Sequence, residues 1–550
     1  MSNISTKKKD KEVLQFDLNK LGEISFGQLE GERDTFLEDC FFPTNTVTKY
    51  LRNLHNYVLS PKGAGKSALF RAIVEGFIPS HYFQSDNYSI IAINEAFGFD
   101  DNYLNLNKFQ EKRRMNLTIS WSLFILSKLI ENIKNNYSHL NGYHKLFNEI
   151  SKIKELKDKF NLYDLTDFLK ALGMSIEFVA NGQEFSAKPK FTVNKRNEKL
   201  NINKLYRLVN DFYKENDIKA LVLIDRLDAF VQKEEYHLQR RYIQGLFDCI
   251  EEISLLSNIN PTVFLRTDLF HSYDSDVEYD KIKDRTIELK WDRGETLTFF
   301  VNRLLNNDYI HDNFRDILLK FVRDATDGKF REYKKDNSNI LRKLIALIFP
   351  KRKKKLEIDT SKPLNYTVSD RFLKIFFPDK ISMNDKSELD FCEWVFQYLN
   401  DAKDFINPRL LIYYFNQLFQ EQSHYNLQFF PDKESLINAQ YTLEDDLPKL
   451  DIFDNEVFKL TYESVQQEEL KFIHTILKKK VFQDLFNIIN GQCWDTGHYR
   501  YGNINIKNLN IEKEDYESCL KYLKLLGFWE EFEKHRFKLP EIYKQKLTSI

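Results

Sequence analysis

The chain has 550 residues, of which 42% are hydrophobic and 30% charged, and its formal net charge is −1. These values predict a globular protein of about three or four domains and exclude a strongly basic or acidic overall field. The sequence has no run of about 18 apolar residues, no apolar secretory leader and no cysteine pair at metal-ligand spacing. We therefore expect a cytoplasmic protein without a membrane span or a structural zinc ion.

The predicted elements begin after residues 1–25, a polar and charged segment that we expect to be a mobile leader. Short apolar segments, many of them β-branched, then predict strands at 57–59, 88–94, 220–225, 262–266 and 286–289. Helical patterns separate these strands, and strands that alternate with helices form parallel sheets with ligands at their carboxyl ends. The predicted fold class is therefore α/β, with a P-loop NTPase core at residues 26–290.

Helical patterns dominate the other segments. Residues 103–172 have no strand pattern and predict a large helical insertion, in the form of an arm. Residues 291–430 predict a helical lid domain, with helix starts at the capping box of Asp292 and at Asn407. Residues 431–550 predict a separate C-terminal domain similar to a winged helix, because a helix at 515–526 ends at Gly527 and two short strands follow.

A glycine-rich segment follows the first predicted strand. Residues 60–67, S-P-K-G-A-G-K-S, match the phosphate-binding pattern G-x-x-x-x-G-K-[ST] except that Ser60 replaces the first glycine. In this pattern backbone N–H groups surround the phosphates, the lysine contacts the β- and γ-phosphates, and the hydroxyl binds Mg²⁺. The sequence therefore predicts binding of ATP and Mg²⁺, with Lys66 as a catalytic residue and Ser67 as a metal ligand. The predicted nucleotide-binding residues of this loop are Ser60, Pro61, Lys62, Gly63, Ala64, Gly65, Lys66, Ser67 and Ala68.

The alternative interpretation is a glycine-rich turn that binds nothing. The strand before the segment and the helix after it favour the phosphate loop, because a helix N-terminus attracts anions. If Ser60 needed a positive φ, the cost would be about 1–2 kcal/mol, which is small beside triphosphate binding.

An acid at the carboxyl end of a neighbouring strand is expected to hold the Mg²⁺. In the segment A-L-V-L-I-D-R-L-D the apolar pattern ends at Asp225, which we predict to be a catalytic residue and a metal ligand. Asp228 follows and is predicted to position the attacking water. The alternative for Asp225 is a helix cap.

Three arginines are candidates for contacts with the nucleotide. Arg266 ends the predicted strand at 262–266, where it would contact the γ-phosphate as a catalytic residue; a salt bridge is the alternative. Arg409 lies in the first turn of the helix that begins at Asn407 and would bind nucleotide from the lid, unless it is an ordinary surface arginine. Arg285 is considered as a finger that acts on a second copy of the chain.

The order of these segments resembles that of the STAND and AAA+ group of P-loop ATPases, and most of all its bacterial branch related to KAP and ORC-type ATPases. The resemblance lies in L-S-P-K-G-A-G-K-S-A-L-F, L-V-L-I-D-R-L-D-A-F, F-L-R-T-D-L-F and I-N-P-R-L-L, and it covers about residues 26–420. Many hydrolysing members carry an acid directly after the metal-binding aspartate, whereas this chain has Arg226. The resemblance therefore implies ATP binding with slow hydrolysis, and it implies phage defence as the setting.

We expect a switch or assembly ATPase that couples its nucleotide state to a partner or effector protein, and a homo-oligomer is considered as a further partner. A second hypothesis is a DNA-dependent ATPase that binds DNA through the basic run at 351–355 or through the C-terminal domain. A third is a nucleotide-locked scaffold that does not hydrolyse ATP, and a fourth is a phosphotransferase that acts on a small molecule.

Overall fold

The computed structural model describes most of the chain, and its description covers residues 12–84, 87–94, 114–151, 192–194, 199–227, 236–272, 282–314, 317, 364, 366–384, 387–401, 403–429, 436–441, 449–450, 452–477, 480–493, 498–500, 513–533 and 536–544. These residues form two compact units. The first contains the described parts of Met1–Asn45, Lys62–Gly65 and Lys290–Ile550, and the second those of Thr46–Pro61 and Lys66–Leu289.

The described strands are β1 (Glu12–Asp17), β2 (Tyr57–Ser60), β3 (Tyr88–Ile93), β4 (Thr192–Asn194), β5 (Lys199–Asn201), β6 (Lys219–Ile224), β7 (Ile259–Arg266), β8 (Thr286–Glu288), β9 (Lys380–Asn384), β10 (Ser387–Asp390), β11 (Leu436–Tyr441), β12 (His498–Arg500), β13 (Glu530–Glu533) and β14 (Arg536–Lys538). The described helices are α1 (Leu37–Cys40), α2 (Asn45–Asn53), α3 (Lys66–Val74), α4 (Arg114–Asn136), α5 (Tyr143–Ser151), α6 (Ile202–Glu215), α7 (Tyr236–Ile253), α8 (Thr267–Ser272), α9 (Arg293–Leu305), α10 (Tyr366–Leu373), α11 (Phe391–Tyr398), α12 (Pro408–Phe429), α13 (Asn455–Ile476), α14 (Lys480–Cys493) and α15 (Lys513–Leu525).

A parallel sheet of five strands forms the centre of the second unit, in the order β3-β6-β7-β2-β8. Strand β6 lies inside the sheet, and its apolar residues Ala220 to Ile224 are at most 1% exposed, as expected for a strand covered on both faces. The predicted α/β class with a parallel sheet is therefore confirmed. Strand β7 starts three residues earlier than predicted. The prediction began after Pro261, because proline normally argues against a central strand.

Helices α4 and α5 cover part of the predicted insertion at 103–172. They are helical, as predicted, and the assignment of 103–172 as an inserted arm stays a prediction. Trp121, Ile125, Leu129 and Ile133 of α4 are buried in the core of the second unit, beside residues of α6 and α7. Their spacing of four residues puts them on one face of the helix, and that apolar face needs a packing partner.

The N-terminal segment belongs to the folded part of the first unit from residue 12 onward. Strand β1 pairs antiparallel with β11, and Phe16 and Leu21 are fully buried. The prediction of a mobile leader over residues 1–25 therefore does not describe residues 12–25. The alternation of Leu14, Phe16 and Leu18 places these apolar side chains on one face of the segment, and that pattern was obscured by the charged residues around it.

A buried ion pair in the first unit holds residues 26–36 against α9. Arg303 of α9 is 4% exposed and donates to Asp34, which is 2% exposed, over 2.5 Å. The same guanidinium donates to the Phe26 carbonyl over 2.6 Å. The predicted capping box at the start of α9 is also present, because Asp292 accepts from the Glu295 N–H and Glu295 from the Asp292 N–H.

The C-terminal part of the first unit contains α13, α14 and α15 and an antiparallel sheet in the order β12-β14-β13. Gly527 lies in the turn that follows α15 and has a φ of +77°, which stops the helix. The helix and the two strands predicted in this segment are thus present; their assignment as a winged helix stays a prediction. In the part of the chain that the structure describes, no helix is long and apolar enough to cross a bilayer.

Candidate functional site

The glycine-rich loop runs from the last residue of β2, Ser60, to the first residue of α3, Lys66. Gly63 has a φ of +86° and Gly65 a φ of +100°, values that favour glycine. Ser60 is a fully buried strand residue and is not among the described residues with a positive φ. The backbone therefore needs glycine at the two positions where the sequence has it, and the strain considered for Ser60 does not arise.

Lys66 turns its ammonium group toward the start of the loop. Its Nζ lies 3.1 Å from the Ser60 carbonyl, 2.9 Å from the Ser60 Oγ and 3.2 Å from the Pro61 carbonyl. The Ser60 hydroxyl in turn donates to the Pro61 carbonyl over 3.0 Å. The serine thus supplies an acceptor for Lys66 that the glycine of the usual pattern could not supply.

The tip of the loop, residues 62–65, is held within the first unit by side chains that the sequence did not single out for this role. Trp291 donates its Nε1–H to the Ala64 carbonyl over 3.1 Å, and Asn407 donates its Nδ2–H to the Lys62 carbonyl over 2.9 Å. The Lys62 ammonium lies 4.1 Å from the centre of the Phe472 ring, as in a cation–π contact.

Arg409 lies in the first turn of α12, as predicted, and is half-buried. Its N–H donates to Asn407 Oδ1 over 2.9 Å, which is the predicted helix cap. Glu469 of α13 interacts electrostatically with both Arg409 and Lys62. Burial raises the pKa of Glu469 to about 7, although the two neighbouring cations favour its charged form. Arg409 and the loop tip therefore belong to one charged cluster of the first unit.

The carboxyl ends of the neighbouring parallel strands carry two of the predicted charged residues. Asp225 directly follows β6, is 7% exposed and donates its N–H to the Ile93 carbonyl over 2.9 Å. Arg266 ends β7, is also 7% exposed, and is the register partner of Ser60 in β2. Both side chains thus lie at the sheet edge where parallel sheets bind ligands.

Arg226 and Asp228 follow Asp225 in the sequence, and the structure describes only Arg226. Arg226 has a φ of +62°, a left-handed conformation that costs a non-glycine residue about 1–2 kcal/mol. Asp228 lies outside the described residues. Its role in positioning water stays a prediction.

The donors on this loop and strand fit Mg²⁺ by their chemistry. Ser67, the second residue of α3, offers a hydroxyl oxygen, and Asp225 offers a buried carboxylate. Mg²⁺ prefers oxygen ligands and is usually bound by one or two protein groups together with substrate phosphates. Strand β7 separates β2, which leads to Ser67, from β6, which leads to Asp225, so the two strands lie about 10 Å apart. Substrate phosphates and waters would complete the ligands of a metal held by these two residues.

Arg285 is engaged within its own chain. It donates to Glu251 over 3.0 Å and to the Ser254 hydroxyl over 2.7 Å. These contacts favour a structural role over the predicted finger that acts on a second copy. The basic run at 351–355 lies outside the described residues, while Lys521 and Lys524 are exposed on α15; DNA binding stays a prediction.

Comparison with known proteins finds no matching family model and no matching curated sequence. Three solved structures resemble the chain over most of its length. A Walker-type ATPase of Pyrococcus abyssi is 13% identical, with a TM-score of 0.34 and coverage of 90% of each chain. The ORC2 protein of Aeropyrum pernix, solved as ADPNP–ADP complexes, is 9% identical, with a TM-score of 0.38 and coverage of 93% of this chain and 94% of that chain. Cdc6p from Pyrobaculum aerophilum is 11% identical, with a TM-score of 0.22 and coverage of 91% and 90%. All three TM-scores lie below 0.5.

Proposed function

We propose that the chain binds ATP, together with Mg²⁺, at the loop of residues 60–67 and hydrolyses it slowly. The observation that carries this proposal is the backbone of the loop, which has glycine at both of its positive-φ positions and leads into the N-terminus of α3. Successive N–H groups in such a turn bind phosphate oxygens, and the helix N-terminus adds a favourable field. A turn that only connected a strand to a helix would not need this combination with Lys66.

The proposed chemistry is phosphoryl transfer to water. Lys66 would neutralise charge on the β- and γ-phosphates, while Ser67 and Asp225 would hold the metal, which supplies electrostatic stabilisation of the transferred phosphoryl group. Arg266 and Arg409 would contact phosphate oxygens as the nucleotide binds. Asp225 is buried at the carboxyl end of β6, where parallel sheets bind ligands, and this supports its role as a metal ligand.

The proposal of slow hydrolysis is supported by Arg226. The residue after the metal-binding acid is a cation in a left-handed conformation, so that position offers no carboxylate to activate water. In a cell, slow hydrolysis would suit a switch that holds a partner protein until the γ-phosphate is lost. The partner, a homo-oligomeric state and an antiphage setting stay predictions.

Phosphate release from ATP tests this function in the wild type, in Lys66→Ala and in Asp225→Asn, each with Mg²⁺ and with a chelator. We expect slow release by the wild type that needs Mg²⁺, and a loss of about 100-fold in both variants, because each removes charge stabilisation of the transition state. Asp225→Asn should still bind ATP. Binding by the wild type with no more release than by Lys66→Ala would instead favour the nucleotide-locked scaffold.

A further inference from the structure

Asn407 contacts two segments of the first unit with one side chain. Its Nδ2 donates to the Lys62 carbonyl in the loop tip, and its Oδ1 accepts from the Arg409 N–H in the first turn of α12, both over 2.9 Å. The two partners fix which way the carboxamide points, because a carbonyl needs a donor and an N–H needs an acceptor. Both polar halves of the side chain are therefore used.

We propose that Asn407 is a positioning residue for nucleotide binding, which fixes the tip of the phosphate loop to the helical turn that carries Arg409. The proposal rests on the nucleotide site proposed above and deepens it. It concerns the donor half of the carboxamide, which nothing in the cap of α12 requires. Serine or aspartate would cap the helix about equally well with an acceptor alone.

The closeness of the loop to Asn407 supports this role. A Cβ atom added at Gly63 would lie 2.4 Å from Asn407 Oδ1 and 2.5 Å from its Nδ2. A side chain at position 63 would therefore displace the carboxamide. Gly63 thus serves two purposes, since it supplies the positive φ of the loop and leaves room for the contact that holds it.

Charged side chains lie near this contact. Lys62 lies over the Phe472 ring, and Glu469 interacts with both Lys62 and Arg409. The carboxamide thus joins the backbone of the two cationic residues of this cluster. If Arg409 contacts phosphate, Asn407 sets the position of that arginine's backbone relative to the loop.

Asn407→Asp tests the two contacts of the side chain separately. The aspartate keeps the shape and the acceptor for the Arg409 N–H, but it puts a second acceptor against the Lys62 carbonyl. We expect the affinity for Mg²⁺-ATP, measured by calorimetry, to fall about tenfold or more, because one hydrogen bond is lost and a repulsion replaces it. The unfolding temperature without nucleotide should fall by no more than a few degrees, because the helix cap is intact and only the one contact with the loop is changed.

Asp454→Ala provides the control. Asp454 caps α13 by accepting from the Glu456 N–H over 2.8 Å, and it lies about 27 Å along that helix from Phe472. This variant should lower the unfolding temperature and leave the affinity for ATP unchanged. Loss of a helix cap alone should thus leave the affinity for ATP unchanged, whereas loss of the loop contact should lower it.

Hydrogen exchange of the backbone amides of residues 63–65, measured without nucleotide, gives a second readout. It should become faster in Asn407→Asp and remain unchanged in Asp454→Ala. Wild-type affinity for ATP in Asn407→Asp, or unchanged exchange in the loop, would overturn the role of Asn407 and leave the proposed function standing. A wild-type chain that binds no ATP would overturn the proposed function itself.

Discussion

The start and the tip of the phosphate loop are held in different ways. At the start, Lys66 binds oxygens of Ser60 and Pro61, which are six and five positions away in the sequence. At the tip, Ala64 and Lys62 are bound by Trp291 and Asn407, which are 227 and 345 positions away. The start is thus built from the motif itself, whereas the tip depends on the folding of the first unit. The variants below test that difference.

The largest effect is expected from Gly63→Ala compared with Gly65→Ala. Both variants place a side chain at positive φ, at a cost of about 1–2 kcal/mol each. Only the Cβ at position 63 would also collide with Asn407, whereas the nearest atom to a Cβ at position 65 is a Trp291 carbon at 4.0 Å. We expect Gly63→Ala to lower the free energy of unfolding by about 1–3 kcal/mol more than Gly65→Ala. Equal losses in chemical denaturation would contradict the contact at the tip.

Trp291→Phe removes the donor to Ala64 and keeps an aromatic ring beside Phe42 and Phe299. We expect a loss of about 1 kcal/mol in the free energy of unfolding, with faster hydrogen exchange at residues 62–65. Trp394→Phe serves as the control, because the Trp394 Nε1 has no hydrogen-bond partner among the described residues. Exchange in the loop should not respond to the control variant; a response to both would show that the loop senses general loosening.

Ser60→Ala and Ser60→Gly test the start of the loop. Alanine removes the hydroxyl that accepts from Lys66, which should cost about 0.5–1.5 kcal/mol of unfolding free energy. Glycine loses the same bond and also adds backbone freedom within a strand, which costs about 0.5–1 kcal/mol more. Stabilisation by Ser60→Gly would show that the backbone prefers the glycine of the usual pattern after all.

A pH dependence is also expected at the tip, due to Glu469. Burial raises the pKa of this carboxyl to about 7, against the opposing charges of Arg409 and Lys62 and with help from Glu468. The folded state therefore binds the proton more tightly than the unfolded state, so stability contributed by the protonated form is present below pH 4.5 and is lost as the pH rises to about 7. Glu469→Gln cannot ionise, and its stability relative to the wild type should increase from pH 5 to pH 8. A constant difference across that range in denaturant unfolding would contradict the buried carboxyl.

The sequence allowed prediction of the parts of the fold that follow local patterns. The five parallel strands, the capping box of Asp292 and the glycines at 63 and 65 each depend on residue types within a few positions of one another. The folded segment at 12–25 was misjudged because its apolar residues are separated by charged and polar ones, and the burial of these residues, like that of one face of α4, depends on partners distant in sequence. Asn407 was recognised as a helix cap, yet its second contact could not be predicted, because only the fold brings Lys62 beside it.

Calorimetric titration with Mg²⁺-ATP of the wild type, Lys66→Ala and Lys62→Ala tests the central claim most directly. If the loop binds phosphates, the wild type should bind ATP, and Lys66→Ala should bind at least about tenfold more weakly because a charged hydrogen-bond donor is lost. Lys62→Ala keeps the carbonyl that Asn407 binds but removes one cation from the loop tip, so its affinity should fall less than that of Lys66→Ala. No binding by a folded wild-type chain, or equal affinity in the wild type and Lys66→Ala, would contradict the account.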